Sequence, residues 1–105
     1  MSVFDEREKE FENRFKHDQD LQFKVKARRN RMLGLWAAER MGLSGDAADA
    51  YAKDLVDAAL HGGDRHVVDK IVADLGAKGQ NCTPHQARFQ LDHFATTAKQ
   101  QIMQE

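Results

Sequence analysis

The side chains able to do chemistry in this sequence are few and scattered. The five histidines stand at 17, 61, 66, 85 and 93. None forms the i,i+4 pair of a helical metal motif, and Cys82 is the single cysteine available to join them. No metal site is expected. A phosphotransfer histidine on a helical bundle would be His66 or His93, but neither has a supporting neighbourhood. Cys82 has no basic neighbour in sequence and sits in an expected loop, so it reads as incidental. Gly62-Gly63 and Gly76-x-x-Gly79 read as helix stops rather than a phosphate-cradling loop. No nucleophile–base order and no paired catalytic carboxylates can be drawn. The residues describe a protein that is not an enzyme, with no catalytic residues and no cofactor.

The remaining signals are of binding. Residues 23–42, FKVKARRNRMLGLWAAERMG, carry Lys24, Lys26, Arg28, Arg29 and Arg31 beside the only tryptophan, Trp36. Residues 1–20 hold seven acidic and four basic side chains, whereas residues 21–42 hold one acidic and six basic. The two segments are complementary in charge, although the whole chain carries a net charge of only −1. Phe4, Phe11 and Phe15 lie within about 40° of one another on a helical wheel. Almost everything between them is charged. Such a stripe either packs on its own domain or lies in a groove of another protein.

The elements that must position these residues are helices. With one proline and no strand-like alternation, the chain is expected to be all-α. The length of 105 residues suits one small domain. A single cysteine excludes an internal disulfide and suits a reducing cytoplasm. No apolar run approaches a membrane span, and the charged start has no secretory h-region.

Residues 2–20 form a helix-capable arm that Ser2 or Asp5 starts. Glu10–Arg14 and Glu12–Lys16 are placed as i,i+4 pairs. The central helix ends at Gly42. Leu21, Val25, Met32, Trp36 and Leu43 share one face; Phe23, Ala37 and Met41 share the opposite one. A helix apolar on two sides is packed on both. Met32 and Trp36 are therefore expected in the core.

A helix over about 46–60 follows, capped by Ser44 or Asp46 and stopped at His61-Gly62-Gly63. The next starts at Asp64, shows Val67, Val68, Ile71, Val72 and Leu75, and ends at Gly76 and Gly79. Thr83-Pro84-His85-Gln86 is a capping box with proline at the first helical position. It opens a last helix with Leu91, Phe94, Ala98 and Ile102 on its apolar face.

Read together, FDEREKEFE, FKHD and ARRNRMLGLWAAERMG resemble the zeta subunit of the F-type ATP synthase of alphaproteobacteria, a small inhibitor of ATP hydrolysis. These pieces cover about two-fifths of the chain. The resemblance implies a four-helix bundle over 21–105 with a mobile N-terminal arm over 1–20. It implies that the arm enters the catalytic head, made of α, β and γ subunits, at an α/β interface and blocks rotation in the hydrolysis direction. It also places the protein in the bacterial cytoplasm, peripheral to the inner membrane through the enzyme.

On this reading Phe4, Phe11 and Phe15 are anchors. Asp5, Glu6, Arg7, Glu8, Lys9, Glu12, Arg14 and Lys16 are polar contacts. Lys24, Lys26, Arg28, Arg29 and Arg31 form a secondary basic surface that either meets the head or holds the arm. No nucleic-acid partner and no membrane insertion are expected. The alternative reading of the residues is a helical module that binds nucleotide, weakly, or nucleic acid through the basic central helix. A third is a structural member of an assembly, with the arm packed permanently on the bundle.

Overall fold

A computed structural model describes residues 3–105, with side chains from Asp5 onward. Four helices follow one another: α1 (Val3–His17), α2 (Gln19–Arg40), α3 (Gly45–Ala77) and α4 (Pro84–Met103). There are no strands among the described residues. The fold is the expected all-α bundle, elongated at 48 × 27 × 25 Å.

Each boundary has a local cause. Asp18 is extended between α1 and α2, and its carboxylate accepts the Leu21 amide at 3.1 Å, capping α2. The far end of α2 closes at Gly42, whose φ of 81° favours glycine; the Leu43 amide then returns to the Ala38 carbonyl. Ser44 stands at the N-cap of α3, but its side chain makes no capping bond. The expected cap is thus present in position only. At the start of α4, Thr83 Oγ1 accepts the Gln86 amide and Gln86 Oε1 accepts the Thr83 amide, at 3.1 and 3.0 Å. The capping box written in the sequence is formed.

The stop expected at 61–63 is a sharp break within α3. Gly63 has φ 68° and ψ −160°, a conformation essentially reserved for glycine. The chain folds back there, so the two arms of α3 lie side by side. Tyr51 on the first arm donates to Asp74 on the second at 2.8 Å, and Lys70 reaches the same carboxylate at 2.9 Å. Burial, then the bond to Asp74, pushes the Tyr51 phenol far above its usual range.

The central position of α2 is as expected: it packs against all three other helices, most extensively against α3. Its buried face is only in part the expected one: Leu21, Val25 and Ala37 are buried as expected, and the rest is not. Leu33 and Ala37 are fully buried, while Met32 and Trp36 are only half-buried and Phe23 is exposed. Trp36 flanks the core instead of filling it, with the Arg40 guanidinium 5.0 Å from its ring. The wheel could not choose a face because α2 is enclosed over a wide arc. What decides is Gly34, which lets the Ala52 backbone of α3 come so close that a Cβ would sit 2.7 Å from Ala52 Cα. The face centred on Leu33, Gly34 and Ala37 therefore turns inward.

The interior divides into two clusters. One joins α2, both arms of α3 and α4 around Leu33, Leu55, Ile71 and Leu91. The other joins α1, α2 and α4 around Phe11, Leu21, Val25, Ala98 and Ile102.

Candidate protein-binding arm

The arm folds as α1, with Asp5 and Glu6 in its first turn and Arg14, Lys16 and His17 in its last, a distribution that suits the helix dipole. The side chain of Phe4 lies outside the described residues. Asp5, Glu6, Arg7, Glu8, Lys9, Arg14 and Lys16 are exposed. Glu12 is half-buried. Neither Glu10–Arg14 nor Glu12–Lys16 forms an ion pair among the described residues. Glu12 turns instead to Lys99 of α4, at 3.6 Å.

Two phenylalanines of the stripe are brought together on the bundle. Phe11 is 6% exposed and packs among Leu21, Val25, Ala98 and Ile102. Phe15 stacks near it, with ring centroids 6.2 Å apart and planes at 20°. The Lys99 ammonium stands 4.2 Å from the Phe15 ring centroid. The Gln22 side-chain amide donates to the Phe15 carbonyl at 2.6 Å. Lys99 and Gln22 carry no sequence signal for this role. Lys99 only borders the Ala98–Ile102 stripe, and its contact with the arm spans more than eighty residues of chain.

The basic residues of α2 do not hold the arm. Lys24 and Arg28 both pair with Glu105, Lys24 at 3.0 Å. Their hydrogen bonds, Lys24 first, hold the Glu105 carboxyl below its usual range. Arg31 lies 3.7 Å from Asp49. Arg29 corrects the expected basic surface outright: it is 7% exposed, bonds Asp64 at 2.6 and 3.4 Å, and donates through Nε to Asn30. A guanidinium this deep must be paired, and the break at Gly63 delivers Asp64 to it. Lys26 alone of the five has no ion-pair partner among the described residues. The expected complementarity of arm and central helix is therefore not what pairs Lys24, Arg28, Arg29 and Arg31; α3 and the C-terminal Glu105 supply their carboxylates.

The chemistry-bearing residues stay apart. All five histidines are exposed, and no metal-holding group of His, Cys, Asp and Glu forms among the described residues. Burial raises the Cys82 thiol, against a smaller opposing effect of Arg40. That makes it less reactive, not more.

The family model described as "ATPase inhibitor subunit zeta" matches residues 1–101, nearly the whole chain. The chain belongs to this family. A zeta-family chain is an ATPase inhibitor subunit, which points to a regulatory, non-catalytic role and to association with F-type ATP synthase. No helix among the described residues is long and apolar enough to cross a membrane. A protein of unstated function solved by solution NMR is similar, at 38% identity and a TM-score of 0.69. The match covers 80% of this chain and 96% of that one. No curated protein matches.

Proposed function

We propose that this zeta-family chain inhibits ATP hydrolysis by inserting its N-terminal arm at an α/β interface of the catalytic head, where it blocks rotation of the γ subunit. The observation that carries the reading is the extent of the family match, which begins at residue 1 and so includes all of the arm. The form of α1 supports it. Residues 5–9 present five consecutive charged side chains to solvent, and one face of the same helix carries large rings. Aromatic anchors with charged flanks suit tight, oriented docking of a helix in a groove. Phe4, Phe11 and Phe15 are the anchors in this proposal. Asp5, Glu6, Arg7, Glu8, Lys9, Glu12, Arg14 and Lys16 are the polar contacts.

The test is ATP hydrolysis by a purified alphaproteobacterial catalytic head, titrated with the full chain and with a version lacking residues 2–18. Saturable inhibition by the first and none by the second is expected. Inhibition retained by the shortened protein would remove the arm from the mechanism.

A further inference from the structure

Three large apolar side chains stand exposed among the described residues: Phe23 at 57%, Leu60 at 62% and Phe89 at 65%. Single exposed apolar residues are ordinary on a protein surface. Two of these three are not single, because Phe23 of α2 and Leu60 of α3 line the same slot. Given the reading of the chain as an inhibitor of the catalytic head, we infer that this slot is a second contact with the head. It takes one aliphatic side chain from the head's outer surface, flanked by a carboxylate that pairs with Lys26.

The slot lies between two helix faces of matching spacing. Phe23, Lys26 and Ala27 stand at i, i+3 and i+4 on α2, and Val56, Ala59 and Leu60 repeat that spacing on the first arm of α3. Its volume is about 90 Å³. Pockets for small molecules run to roughly 300–1,000 Å³, so this one suits a side chain and not a metabolite.

Charge says what must stand beside that side chain. Arg29 also lines the slot, but Asp64 pairs with it at 2.6 Å. Lys26 is exposed and has no ion-pair partner among the described residues. The slot therefore offers apolar walls and one uncompensated positive charge. An apolar pocket edged by a polar group is the anatomy of an interface centre.

Position says whose side chain it is. Phe23 follows the α1–α2 junction at Asp18 by five residues, about 7.5 Å of helix. A surface that receives α1 thus comes within reach of the slot, and contact there continues the same interface past the junction. Phe89 shares a different pocket, with Trp36, which is about 20 Å further along α2 than Phe23.

The experiment titrates ATP hydrolysis by the purified head with full-length Phe23→Gln, Leu60→Gln and Lys26→Glu, and with Phe89→Gln as the control. All four positions are exposed, so far-UV circular dichroism should match the parent. The half-inhibitory concentration should rise about tenfold for Phe23→Gln and Leu60→Gln. It should rise about two- to fivefold for Lys26→Glu, less at high salt. Phe89→Gln should leave it unchanged. Separately, the photo-crosslinking side chain p-benzoylphenylalanine at position 60 should join the chain to the α or β subunit on irradiation, and at position 89 it should not.

Parent-like inhibition by Phe23→Gln and Leu60→Gln, an equal loss with Phe89→Gln, or no crosslink from position 60 to the head would each overturn the slot. None of these would touch the inhibitory function itself. Absence of inhibition by the unmodified chain would overturn that function instead.

Discussion

Replacing Gly34 by alanine tests the packing at the centre of the bundle. In an open helix the change should stabilise, because glycine is about 1 kcal/mol worse than alanine in a helix interior. Here the new methyl would meet Ala52 Cα at 2.7 Å and Ala52 Cβ at 3.1 Å. Carbon atoms prefer separations of roughly 3.5–4.0 Å. The obstacle is backbone, so no rotamer change relieves it, and α2 must move from α3 by about 1 Å at their crossing. A gap of that size forfeits up to about half of each dispersion contact along the interface. Leu33, Ala37 and Leu55 are fully buried beside it.

Overpacking of a filled core costs about 1–3 kcal/mol. After the propensity gain, a net loss of about 1–2 kcal/mol remains, and Tm should fall by about 4–8 °C per kcal/mol. Gly76 is the matched control. It is helical, with no positive φ, and a Cβ there meets nothing within 4 Å. Gly76→Ala should raise stability by about 0.5 kcal/mol, less than the full propensity because it stands near the end of α3. Urea unfolding of the three proteins, followed by far-UV circular dichroism, gives both signs. A Gly34→Ala protein as stable as the parent would refute the close approach of α2 and α3.

Three further outcomes are expected. Gly63→Ala forces a side chain into the glycine-only backbone of the α3 break and should cost about 1–3 kcal/mol by urea denaturation; an unchanged midpoint would mean that α3 turns elsewhere. Asp64→Ala should destabilise more than Arg29→Met, because the first strands a buried guanidinium and the second removes it; Asp64 is nearly half exposed, so the difference should be about 1–2 kcal/mol rather than the 3–5 of a fully buried pair. Glu105→Gln should narrow the stability lead of the parent as pH falls: the carboxyl is depressed in the folded state, so its contribution is complete above the unfolded value near 4.5 and disappears as pH drops through the lower folded value. Urea midpoints from pH 6 to pH 3 should show the two proteins converging, and high salt should shrink the gap at pH 6.

Local signals were the legible ones. Thr83, Pro84 and Gln86 build their capping box from four neighbouring residues, so nothing distant can override it. The glycines at 62 and 63 mark the break because the required backbone conformation is itself local. Phe11 and Phe15 are visible as a stripe because helical spacing alone aligns them. The same wheel was right on α2 for Leu21, Val25 and Ala37 but not for Met32, Trp36 and Phe23, because the enclosed arc is wide and a missing side chain, Gly34, chooses the inward face. It also misplaced Arg29. Charge marks a residue as surface unless a partner comes to it, and Asp64 arrives from 35 positions away only after the chain has reversed at Gly63. Lys99 over Phe15 is of the same kind. For the arm, the pattern of rings and charges marked the stripe, while the seat of Phe11 and Phe15 against α2 and α4 required the fold.

The half-buried Trp36 has a practical consequence for watching this molecule. It is the only tryptophan, and it borders the cluster around Leu33 and Leu55, whereas α1 closes over the other cluster. Its emission will follow the melting of the main core and the stacking of Arg40. It will be insensitive to the surroundings of Phe11 and Phe15. A fluorescence trace therefore reports on the cluster around Leu33 and Leu55 alone, and a probe seated near Phe15 or Lys99 is needed to report on the packing of α1.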